Sequence, residues 1–143
     1  RIPVAARLRR RNPPPRMSSP PVSLGQYEII REIARSNDIV YEAFDPVMHR
    51  RVAVKELHLP PGMTSSQSEE RARRFRREAQ AAGTLNHRNI MTVYALAEDQ
   101  GRIFMALEFL DGETLRALVD REAPLPPKRA VELVNEVLAG LGH

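Results

Sequence analysis

An α+β fold is predicted by three features of the sequence. Five short runs of alternating or β-branched residues, each closed by turn-forming residues, occur between residues 27 and 110. A stretch of helical periodicity at about 67–85 interrupts them after the third run. Two further helical patterns, one short and one longer, occupy 111–143. Strands that enclose one long helix and then give way to helices read as a sheet with a helix, followed by a second, helical unit.

The elements follow in order. Residues 1–23 hold half of the twelve prolines, including Pro13-Pro14-Pro15 and Pro20-Pro21. Residues 1–16 hold six arginines and no acid. Such a segment buries too little apolar surface to offset the entropy of ordering, so 1–23 is predicted to be a disordered tail. The sequence opens on Arg1, and Met17 offers a natural start.

Partly alternating apolar residues predict a strand at 27–33. The polar turn 34–38 then leads to a second strand at 39–44, closed by Asp45-Pro46. The two read as an antiparallel hairpin. A third strand spans 51–57, and Pro60-Pro61-Gly62 ends the sheet pattern. In the helix at 67–85, Ser66 and Glu69 have capping-box spacing, and Phe75, Ala79 and Ala82 make one narrow apolar stripe. Arg71, Arg73, Arg74, Arg76 and Arg77 read as its solvated face. Glu78 lies beside the stripe and can look towards the sheet. His87 reads as a loop tether. Two more strands are expected at 90–97 and 102–110, joined by Asp99-Gln100-Gly101. Thr114 is placed to cap a short helix at 115–121. Residues 124–127 form a stiff connector, and the last helix, from about Lys128, carries Val131, Val134, Val137, Leu138 and Leu141 on one apolar side.

Composition narrows the function. Hydrophobic residues make up 42% and charged residues 28%, as in ordinary globular proteins. The net charge is +4, but residues 1–16 contribute +6 and the other 127 residues sum to −2. A basic tail on a nearly neutral body is not the footprint of a nucleic-acid-binding domain, so no nucleic-acid partner is expected. The absence of cysteine excludes a disulfide framework. His49, His58, His87 and His143 are too far apart in sequence for a recognisable metal-ligand cluster. No apolar run is long enough to span a bilayer, and a cytoplasmic location is expected.

The chemistry centres on the third strand. Alternation sends Val52 and Val54 to one face and Ala53, Lys55 and Leu57 to the other. A lysine on an otherwise apolar face either extends its ammonium to water or meets an anion.

Four segments occur here in a telling order: Val52-Ala53-Val54-Lys55, Phe75-Arg76-Arg77-Glu78-Ala79, His87-Arg88-Asn89-Ile90 and Leu107-Glu108-Phe109-Leu110-Asp111-Gly112. Together they resemble the motifs of a bacterial-type Ser/Thr protein kinase domain. The resemblance implies a kinase-like amino-terminal lobe over 24–110, with a five-stranded antiparallel sheet and one long helix. Residues 111–143 would be the hinge and first helices of a carboxy-terminal lobe. It implies ATP as the cofactor, with Lys55 on the α- and β-phosphates and Glu78 as the anion that fixes Lys55. Ile33, Val40 and Ala53 would line the adenine pocket, with Leu107 at its rear. The backbones of Glu108 and Leu110 would bond the adenine edge.

Two departures from the family pattern shape the expectation. The phosphate loop G-x-G-x-x-G-x-V is represented by 34–40, which has no glycine and is one residue shorter. Without glycine the backbone approaches phosphate less closely, and Asp38 brings a negative charge near it, so loose ATP binding is expected. The motifs H-R-D-x-x-x-x-N and D-F-G, which supply the catalytic base and the Mg²⁺ ligands, do not occur in the 143 residues. The expected function is therefore the ATP-binding part of a Ser/Thr protein kinase, inactive by itself. A protein substrate would be engaged only where the remaining lobe is present. The alternative is a non-catalytic, pseudokinase-like scaffold or interaction module.

Overall fold

The computed structural model describes residues 22–142. Residues 1–21, nearly all of the predicted tail, lie outside the described residues. The sheet consists of β1 (Ser23–Leu24), β2 (Tyr27–Arg35), β3 (Ile39–Asp45), β4 (Arg50–Glu56), β5 (Val93–Asp99) and β6 (Arg102–Glu108). Its order is β1-β2-β3-β4-β6-β5, and every neighbouring pair is antiparallel. Six strands stand where five are expected. The extra one, β1, spans 2 residues, too few for any periodicity to show. It turns into β2 at Gly25, whose φ of +57° suits glycine and whose absent Cβ would lie 2.9 Å from the Phe104 ring.

The alternation expected around Lys55 divides the sheet into two apolar layers. On one face Leu24, Tyr27, Ala43, Val52, Val54, Phe104 and Ala106 form a buried cluster. On the other, Ala53, Leu57, Met105 and Leu107 meet Ala72, Phe75 and Ala79 of the helix α1 (Ser65–Gly83). The helix begins earlier than the Ser66–Glu69 spacing suggests. Thr64 Oγ1 accepts from the Gln67 amide (3.2 Å), and the Gln67 side chain accepts from the Thr64 amide (2.9 Å). Both pairs of residues have the right spacing, and the upstream box adds helical residues at no loss of capping.

Two strand ends are shorter than expected. β5 begins at Val93 because the preceding residues are spent on a turn. In that turn the Ile90 and Asn89 amides donate to the His87 carbonyl (2.9 Å) and to His87 Nδ1 (3.1 Å). β6 ends at Glu108, so Leu110 lies beyond the sheet. Two helices follow, α2 (Leu115–Glu122), capped by Thr114, and α3 (Pro127–Leu141). Neither buries a residue fully. Asn89 Nδ2 donates to the Glu136 carbonyl (2.8 Å) and so ties the loop before β5 to α3.

Candidate active site

The site is built where β4 passes over α1. β4 lies between β3 and β6, with Lys55 opposite Val40 and Met105, so its backbone is held from both sides. Alternation aims Lys55 at the same layer as Ala53 and Leu57. An unpaired ammonium among those apolar groups would cost several kcal/mol. The side chain instead passes Phe75, with Nζ 5.7 Å from the ring centroid, and donates to Glu78 Oε1 at 2.6 Å. Phe75 and Glu78 are three positions apart on α1, which places them on one side of the helix. The Lys55 side chain is 23% exposed and that of Glu78 57%, so the pair sits at the rim of the apolar layer.

A second carboxylate arrives from the turn between β2 and β3. Asp38 Oδ2 is 3.6 Å from Lys55 Nζ. Its Oδ1 accepts from Arg71 Nη2 at 3.2 Å and from the His58 amide at 3.4 Å. Arg71 Nη2 also donates to the Asn37 carbonyl at 2.6 Å, and the turn closes through Ser36 N–H to the Asp38 carbonyl at 3.0 Å. Asn37, Asp38, Arg71, Phe75 and Glu78 are among the residues around a cavity of ≈ 400 Å³ at this corner. Arg71 thus departs from the solvated face assigned to the arginines of this helix. The signal lay in its spacing, because Arg71, Phe75 and Glu78 recur at i, i+4 and i+7, along the buried stripe.

The other predicted site residues divide into two groups. Val40, Ala53 and Leu107 share the inner apolar cluster, with Ala53 opposite Leu107 in register. Ile33 and Leu110 do not join it. Ile33 falls at a register irregularity of β2 and is 41% exposed, and Leu110 is 61% exposed. The Glu108 amide donates to the Thr92 carbonyl (2.9 Å), and the Thr92 amide donates to Glu108 Oε2 (3.2 Å). The amide of Glu108 is therefore already engaged.

Next to Lys55, Glu56 points to the opposite face and is buried. Arg102 grips its carboxylate through Nε (2.6 Å) and Nη2 (2.8 Å), and the Tyr41 hydroxyl donates to it at 3.0 Å. Burial pushes the Glu56 carboxyl up, but the hydrogen bonds from Arg102 and Tyr41 outweigh it and hold the group below its usual value. Burial, then the bond to Glu56, raises the Tyr41 hydroxyl.

Residues 36–143 match the protein kinase domain family. The chain belongs to that family. It is 34% identical over 120 residues to serine/threonine-protein kinase PrkC of Bacillus subtilis (strain 168), covering 83% of this chain and 18% of the relative. It is 40% identical over 106 residues to serine/threonine-protein kinase PknB of Mycobacterium tuberculosis (strain ATCC 25177 / H37Ra), covering 71% and 16%. The PknI kinase domain of Mycobacterium tuberculosis superposes with a TM-score of 0.64 at 28% identity, over 81% of this chain and 46% of that one. This kinase chain therefore spans less than a fifth of those curated relatives. Protein kinases use ATP with Mg²⁺. An ammonium held at the rim of an apolar layer fits a nucleotide phosphate. Among the described residues no group of three or more His, Asp or Glu side chains could hold a metal ion. No helix among them is long and apolar enough to cross a membrane.

Proposed function

We propose that this chain is the ATP-binding portion of a Ser/Thr protein kinase, a domain that moves the γ-phosphoryl group of ATP to a protein hydroxyl. In this reading residues 24–110 are the amino-terminal lobe and 111–143 the hinge and opening helices of the second. The observation that carries it is the 2.6 Å bond between Lys55 Nζ and Glu78 Oε1. Phosphoryl transfer relies on positioning and charge stabilisation, so its first need is a cation fixed in place on the phosphates. A flexible lysine becomes such a cation when an anion on a neighbouring rigid element holds it. Val40, Ala53 and Ile33 would cover the adenine, with Leu107 behind it and the backbone of Glu108 and Leu110 along its edge. Since the Glu108 amide is engaged, its carbonyl is the group left to meet the adenine. The catalytic base and the Mg²⁺ ligands are not proposed among these residues, so the chain alone is not expected to transfer phosphate. A cytoplasmic location and a protein substrate belong to the same proposal.

Calorimetric titration with ATP tests it. Lys55→Met should weaken binding by about tenfold or more, the scale of one charge-assisted contact to phosphate. Unchanged affinity in that variant would remove Lys55 from the site.

One observation favours a second reading, a non-catalytic scaffold. The turn 36–38, like the two residues before it, has no glycine and sets a carboxylate 3.6 Å from the lysine that should receive phosphate. A folded protein that takes up no ATP at millimolar concentration would favour the scaffold.

A further inference from the structure

Asp38 poses a problem for any anion that approaches Lys55, and Arg71 supplies the answer. Resting on the nucleotide reading of Lys55, we propose that Arg71 is a positioning residue for nucleotide binding. It draws the Asp38 carboxylate away from Lys55 and pins the glycine-free turn to α1, leaving the ammonium open to phosphate.

The distances rank the two cations. Asp38 Oδ1 is hydrogen-bonded to Arg71 at 3.2 Å, whereas Oδ2 makes only a longer ion pair with Lys55 Nζ, at 3.6 Å and without a hydrogen bond. Lys55 has its own anion in Glu78 at 2.6 Å, so two of its three donors remain for a ligand. The same Arg71 nitrogen holds the Asn37 carbonyl at 2.6 Å, which fixes the backbone of the turn as well as its carboxylate. A planar guanidinium can do both at once. The side chains of Arg71 and Asp38 are 24% and 16% exposed, so water screens this contact less than an open surface pair.

The turn makes such a device necessary. A glycine-rich loop offers backbone N–H groups to phosphate, but here the Ser36 amide is spent on the Asp38 carbonyl at 3.0 Å. Ser36 therefore offers no amide to an anion, which puts more of the binding on side-chain cations such as Lys55. Without Arg71, the Asp38 carboxylate would be free to close on Lys55 and compete directly with a phosphate. Arg71 and Glu78 also lie on the same helix, seven residues or about 10 Å apart. α1 thus carries both restraints, one on the lysine and one on its internal competitor. A shift of α1 would release the two together.

The test is a double-mutant cycle in the full-length protein, titrated with ATP and separately with inorganic tripolyphosphate. Arg71→Met should weaken both ligands by about three- to tenfold. In an Asp38→Asn background the same change should cost less than about twofold, because there is no competing charge left to hold. Arg71→Lys should restore part of the affinity. Amide hydrogen exchange provides a readout without ligand: Arg71→Met should speed exchange at the His58 amide and in the turn 36–38, with α1 unchanged. Equal losses in both backgrounds would mean that Arg71 touches phosphate or merely supports the fold, and either overturns the proposal. So would wild-type affinity in Arg71→Met. Lys55→Met serves as the control. If it binds ATP as well as wild type, the nucleotide reading fails and this inference with it; if it loses binding while the cycle shows no coupling, only this inference fails.

Discussion

Glu56 shows how a single residue sets the response of the sheet to pH. Its carboxyl is held below the usual value by Arg102 and Tyr41 despite burial, so the folded state prefers it ionised. The contribution to stability is complete above the unfolded value of about 4.5 and fades as pH falls through the lower, folded value. Melting followed by circular dichroism between pH 7 and pH 3 should show a decline that begins near that unfolded value. Glu56→Gln should lower stability at neutral pH by about 1–3 kcal/mol and flatten the acid decline. A variant that loses stability in acid as steeply as wild type would show that other carboxylates govern it. The residues of the candidate site differ in how far they can be read in advance. Lys55 announces itself as one charge in an apolar alternation, and Glu78 by its place beside the helical stripe. Arg71 has the same helical spacing but is hidden among four other arginines, where composition argues for solvent. The open positions of Ile33 and Leu110 depend on a strand irregularity and a strand end, and neither is encoded locally.

Among the elements, α1 is the one on which the site depends. It supplies Phe75 and Ala79 to the inner apolar layer, Glu78 to Lys55 and Arg71 to the turn. Its start rests on the Thr64–Gln67 box, and Thr64→Ala should cost about 1 kcal/mol. Phe75→Ala removes the largest side chain that the helix buries and should cost about 3–5 kcal/mol. Chemical denaturation of both variants checks the ranking; a larger loss from the cap than from the ring would mean that packing does not anchor α1. The helix is legible in the sequence because its stripe repeats for several turns. β1 is not, since pairing to Tyr27 and Glu28 defines it and its 2 residues carry no pattern. β5 and β6 depart from expectation because a turn at 87–90 delays the start of β5 and because β6 stops at Glu108 although apolar residues continue beyond it.

At the scale of the whole molecule, the last two helices leave an apolar face open. Val131, Val134, Val137, Leu138 and Leu141 are each more than half exposed, and α2 and α3 together line an apolar groove of ≈ 330 Å³. Burying one such side chain is worth roughly 1.5–3 kcal/mol, so a second copy of this chain is offered a substantial driving force. Light scattering of the 143-residue chain at tens of micromolar should report a mass above that of the monomer, and Val134→Glu with Leu138→Lys should return it towards the monomer. A monomeric wild-type chain under those conditions would contradict this. The charges around Lys55 have a different long-range consequence. Asp38 and Glu78 balance Lys55 and Arg71 one for one, and the chain outside residues 1–16 sums to −2. At distances beyond the screening length of physiological salt, about 8 Å, such a balanced group casts almost no field. These four charges therefore add little to the long-range steering of a polyanion. The pull of the ammonium on an arriving phosphate is felt mainly at contact.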